Sequence, residues 1–242
     1  MKPSRPAPQA AIVIKWPQTA AAGVARLAAQ RLAAGAVPAT WAIDQASQLE
    51  SLRSWGALPG AADATLLACC GVLADAAVSE IAAREMGRRL ELLRDAGLGV
   101  EVLYAGAKGL GEHWPRALRA LGVCGIVVDG EPSPAAPRAL PFGVWRFSSH
   151  VTIPRRPSWT SWLRTKRPLL TNPGHPAVVA TIDLARVESE QSAAAAAMQR
   201  ALDEAAAARA DRSVALVTMS QLAAQFTRAN APRPQRSILR AA

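Results

Sequence analysis

The chain is poor in the side chains that most often hold metals or act as nucleophiles. Its 242 residues include three histidines, three cysteines and one tyrosine. The histidines are His113, His150 and His175. No two of them share a short motif, whereas metal sites are recognised from ligands clustered at short spacing. The spacing therefore predicts no metal site, and nothing in the sequence asks for another cofactor. Cys69 and Cys70 are adjacent and Cys124 stands alone. An odd count with an adjacent pair excludes an ordinary disulfide framework. The runs LLACCGV and GVCGIVV instead predict buried, reduced thiols. Acidic charge is also short, with 18 Asp and Glu against 28 Lys and Arg, a formal net charge of +10. Such a surplus permits nucleic acid, anionic glycan or lipid headgroup partners without selecting one. Long apolar runs are missing, because Asp63 and Asp75 break the longest candidate. No membrane span is expected. The start, MKPSRPAPQAAIVIKWPQ, has too short an apolar run for a signal peptide. A soluble, cytoplasmic protein is the expectation.

What is present suits a folded domain: half of the residues are hydrophobic and 19% are charged. Short apolar runs alternate with helix-like segments. Strand-like runs occur at 10–16, 37–44, 64–72, 98–106, 123–130, 141–149, 176–185 and 213–220. Helical patterns occupy 19–35, 45–55, 79–97, 111–122, 188–210 and 221–229. The clearest is SEIAAREMGRRLELLRDAG, with apolar residues at helical spacing and Gly97 to close it. Alternation of strands and helices predicts a largely parallel sheet. About eight strands point to a closed or nearly closed β/α barrel, with a doubly wound open sheet as the competing architecture. The expected organisation is an extension over 1–9, one domain over 10–230 and a basic tail over 231–242. Residues 131–176 read as an irregular insertion or lid.

The order of segments resembles the polysaccharide deacetylase family. The likeness is carried by AAGAVPATWAID, by SEIAAREMGRRLELLRDAGLGVEVLYAGAKG, by ALRALGVCGIVVDGE and by ALDEAAAARADRSVALVTMSQLAAQF. It implies a distorted β/α barrel of the polysaccharide deacetylase or glycoside hydrolase type. It also implies an activity, the hydrolysis of acetyl groups on sugars, that rests on an acidic pair and a metal held by histidines. Those motifs do not carry over. Pro17 and Gln18 follow Lys15 and Trp16 where the resemblance places the acidic pair. No histidine precedes His113. Leu103, Tyr104, Ala105 and Gly106 stand at the arginine motif, and ATIDLA, with Asp183, stands at the late Leu-His motif.

Barrel enzymes place their chemistry at the C-terminal ends of the strands. There the sequence offers Lys15, Asp44, Asp129 and Asp183 as weak catalytic candidates, either as paired carboxylates or as an amine nucleophile. Each has a plainer explanation. Asp44 can cap a helix, Asp129 can sit in an Asp-Gly turn, Asp183 can pair with a base, and Lys15 can reach solvent or a carboxylate. Trp16 and Tyr104 are candidate binding residues at the same end. GAKGLGEHW (106–114) is a weak candidate for holding an anion on backbone N–H groups. The segment IPRRPSWTSWLRTKRP interleaves Arg155, Arg156 and Arg164 with Trp159 and Trp162. Cations beside indoles can stack on sugars or bases, so this is the strongest binding candidate. The leading expectation is a deacetylase-like pseudoenzyme with a carbohydrate or protein partner. The alternatives are a carbohydrate hydrolase with a rebuilt carboxylate or Lys site, and a basic protein that binds nucleic acid or another polyanion.

Overall fold

The computed structural model describes residues 8–58, 64–67, 80–105, 114–129, 136–154, 170 and 177–229. The strands are β1 (Gln9–Trp16), β2 (Thr40–Ile43), β3 (Ala64–Leu67), β4 (Val102–Ala105), β5 (Gly125–Val128), β6 (Arg138–Ala139), β7 (Trp145–Ile153), β8 (Ala177–Asp183) and β9 (Ala215–Val217). The helices are α1 (Ala22–Ala34), α2 (Ala46–Ser54), α3 (Glu80–Asp95), α4 (Trp114–Ala120), α5 (Ala193–Ala210) and α6 (Met219–Ala229). Parallel pairing runs from β1 through β2, β3, β4, β5, β7 and β8 and returns to β1, which closes a barrel. The short β6 pairs antiparallel on β7. The expectation of a β/α barrel holds.

Strand alternation sorts the core into two shells. Ala10, Ile12, Ile14 and Trp16 of β1 join the outer shell, packed with helix residues such as Ala25, Ala28 and Leu202. Ala11 and Val13 join the barrel interior with Val102, Tyr104, Val127, Trp145, Phe147, Ala177 and Val179. Helix α6 closes the end of this interior where the strands begin, through Met219, Leu222 and Ala223, with Phe226 against Trp145 and Phe147. Burial of residues such as Met219 and Leu222 contributes about 1.5–3 kcal/mol each. Gly125 makes the approach of α6 possible. A Cβ there would lie 3.1 Å from the Ala223 Cβ, 3.2 Å from Val102 and 3.5 Å from Phe147.

One edge of β1 is shared. Gln9–Ala11 pair with β9, whereas Val13–Trp16 pair with β2. The wall therefore has a seam where that edge passes from one neighbour to the other.

Several local expectations shift. Gly97 does cap α3, with φ +84 and the Leu98 N–H on the Leu93 carbonyl. Gly35 is the C-cap of α1, but the left-handed residue there is the next one, Ala36, at φ +47. Helix α5 starts at Ala193, later than the Ala-rich pattern suggests, because the Ser192 hydroxyl accepts the Ala195 N–H. The stretch 131–176, read as insertion or lid, contains β7, a nine-residue barrel strand between β5 and β8. His150 thus lies within a central strand of the barrel. A register shift between Ser149 and Val151 breaks the alternation there, so the strand-like run read over 141–149 catches only the first half of β7.

Candidate functional site

The barrel interior changes character along its axis. Towards the C-terminal ends of the strands the same alternation brings Lys15, Asp129, Ser149, Thr181 and Asp183 above the apolar layer. Lys15 and Asp183 are paired positions of β1 and β8. Lys15 Nζ lies 3.2 Å from Asp183 Oδ2, and Arg186 Nε reaches that same oxygen at 3.3 Å. The other oxygen accepts the Ala185 N–H at 3.2 Å. Asp183 is therefore a buried carboxylate held by two cations and a backbone donor.

Tyr104 sits beneath this pair. Lys15 Nζ is 6.0 Å from its ring centroid, within reach of a cation–π attraction. Its hydroxyl is buried near Thr181 and the Asp129 carboxylate, without a hydrogen bond of full geometry among the described residues. Burial, followed by the negative charge of Asp129, holds the phenol far above its ordinary value. It stays a neutral O–H donor. Asp129 accepts the Thr152 hydroxyl at 2.8 Å, and Ser149 donates to Thr181 at 2.9 Å.

The remaining sequence candidates are placed differently. Asp44 does not cap α2: the Gln48 side chain accepts the N–H groups of Asp44 and Gln45 at that helix start. Asp44 instead accepts the Gln18 N–H at 3.0 Å, tying the β1–α1 connection to the end of β2. Burial raises its carboxyl, while the Gln18 bond, Arg89 and Lys15 act against that rise. Trp16 alternates to the outer face. It stacks on Trp55 at 5.6 Å and meets Trp41 edge-on at 6.2 Å, away from the barrel interior. Cys124 is half-buried at the opposite end, its thiol pushed up by burial. Arg155, Arg156, Trp159, Trp162, Arg164, His113, His175, Cys69, Cys70 and the segment 106–113 lie outside the described residues. Sequence reasoning missed Thr152, Thr181 and Arg186. The available signals were the two-residue step from Thr181 to Asp183 along β8 and the three-residue step on to Arg186.

No protein-family model matches the sequence, and no curated protein matches it. Solved structures do. A Mycobacterium smegmatis protein assigned as a polysaccharide deacetylase superposes with a TM-score of 0.60 at 17% identity, covering 94% of this chain and 93% of that one. The barrel is of the polysaccharide deacetylase type. The 4-alpha-glucanotransferase of Thermococcus litoralis also aligns, with a TM-score of 0.60 at 14% identity over 92% of this chain and 41% of its own. At these identities the shared property is the fold. Among the described residues of the mouth, Asp183 is not free to take up a divalent metal. Among the described residues no three His, Cys, Asp or Glu side chains gather. Asp183 is already neutralised, and an ammonium beside it repels a second cation. No helix among the described residues is long and apolar enough to cross a membrane.

Proposed function

We propose that this deacetylase-type barrel binds carbohydrate at its C-terminal mouth and does not carry out metal-dependent deacetylation. The observation that carries the reading is the Lys15–Asp183–Arg186 cluster, which ties up the Asp183 carboxylate of the mouth with side-chain cations. Metal-assisted hydrolysis needs an ion that polarises the acyl carbonyl and lowers the pKa of its water. A carboxylate held by two cations is a poor ligand for that ion. The same layer retains hydroxyls, carboxylates and an ammonium, the groups that hydrogen-bond sugar hydroxyls. The carbohydrate-active fold neighbours support a sugar as the ligand.

A second reading, a hydrolase with a rebuilt site, draws on Asp129 and Asp183, the two carboxylates whose charge acts on the Tyr104 hydroxyl. Acetylated chitooligosaccharides separate the two. Saturable calorimetric binding, weakened by Asp129→Asn, with no acetate or shortened oligomer released in the presence of zinc, is the expected result. Acetate release that a chelator stops overturns the proposal, and metal-independent chain shortening selects the hydrolase.

A further inference from the structure

We propose that the seam in the barrel wall is a second binding site, one that takes a small amphipathic anion with an apolar body and a single carboxylate. The seam lies where the edge of β1 passes from β9 to β2. A cleft of about 530 Å³ opens there, within the range of small-molecule sites. Its lining includes Leu32, Val37, Ala39, Trp41 and Leu216, and its charged member is Arg209. Four of these apolar groups, Leu32, Val37, Ala39 and Trp41, are buried, while Ala33, Ala36 and Gly56 form an exposed rim.

Two features give the cleft its ligand chemistry. The first is the origin of the space. β2 and β9 compete for one edge of β1, so the wall parts, and small residues at Ala29, Ala33, Ala39 and Ala57 leave the gap unfilled. An apolar body entering it removes buried and half-buried carbon surface from water. The second is Arg209. It donates to the Gly35 carbonyl at 3.3 Å and meets no carboxylate among the described residues. A guanidinium at the opening of an apolar cleft is complementary to a carboxylate through a two-pronged hydrogen bond. The rim also holds backbone strain, because Ala36 adopts the left-handed conformation at φ +47, uncommon for a residue with a Cβ.

Octanoate is a suitable probe and octanol its uncharged control. The expected result by calorimetry is one saturable octanoate site per chain. Arg209→Gln lowers octanoate affinity by about tenfold and leaves octanol unchanged. Ala33→Phe, at an exposed rim position, blocks both ligands while circular dichroism and thermal unfolding stay unaltered. Amide and indole chemical shifts provide an independent readout, with octanoate moving the signals of Trp41, Ala36 and Gly56. Absence of saturable binding, equal octanoate affinity in Arg209→Gln, or shifts confined to the barrel mouth overturns the proposal.

Discussion

Lys15 and Asp183 face each other across neighbouring strands at 3.2 Å, in register, and Arg186 closes on the same carboxylate oxygen from the turn that follows β8. The arrangement is asymmetric. Asp183 has two cationic partners, whereas Lys15 has one carboxylate partner within ion-pair distance among the described residues. Removing the acid leaves two cations facing each other around a buried hole. Removing the lysine leaves the acid still paired with Arg186.

Asp183→Ala should therefore destabilise the fold by about 3 kcal/mol, the range for stripping one member from a buried ion pair. Lys15→Met should cost about 1 kcal/mol or less, because its side chain is 23% exposed and the acid keeps Arg186. Urea unfolding midpoints of both variants check the order. Equal losses would show that Lys15 carries the pair alone.

Tyr104 is the only tyrosine, so the phenol absorbance of the native protein reports on one side chain. Its folded pKa is raised by burial first and by Asp129 second. The unfolded phenol titrates at about 10. The stability contribution is thus complete below about pH 10 and is lost as pH rises from there towards the folded value, since only the unfolded chain releases the proton in that window. An alkaline titration should show no tyrosinate until the protein unfolds, and then a cooperative rise. A gradual rise near pH 10 with secondary structure intact contradicts the burial.

Gly125 faces the barrel interior under α6. A Val there forces two β-branched methyls into a space already closed by Ala223 and Val102. Gly125→Val is expected to cost about 1–3 kcal/mol, the usual penalty of overpacking. Gly125→Val combined with Ala223→Gly should recover part of the loss. Thermal unfolding of the single and double variants measures it.

How much of this was legible from sequence follows from the kind of signal each element carries. The strand at 10–16 and the helix at 79–97 are marked by long apolar patterns and a glycine stop, and both appear at nearly those bounds. β7 was harder. The run 141–149 marks its first half, but the polar residues Ser148, Ser149, His150 and Thr152, together with the register shift, blur the alternation over the rest. Lys15 and Asp183 were separately visible as strand-end residues. Their pairing was not, because it depends on the β1–β8 register between segments 168 positions apart. The seam cleft was invisible for the same reason: it arises from β2 and β9 sharing an edge of β1, a property of topology and of no local motif.

Asp44 provides a test of burial against hydrogen bonding. Its carboxyl is raised chiefly by burial, and the Gln18 N–H, Arg89 and Lys15 only partly offset that rise. A raised folded pKa means that the favourable contribution is present below the unfolded value of about 3.9 and is lost as pH rises through the folded value. At neutral pH the charged group is therefore a net liability. Asp44→Asn keeps an oxygen to accept the Gln18 N–H and removes the charge. The variant should equal or exceed the parent in thermal stability at pH 7, and that advantage should vanish near pH 3, where the parent carboxyl is protonated. Paired melts at the two pH values decide the matter. A larger loss at pH 7 than at pH 3 would mean that the attraction of Arg89 and Lys15 outweighs the cost of burying the carboxylate.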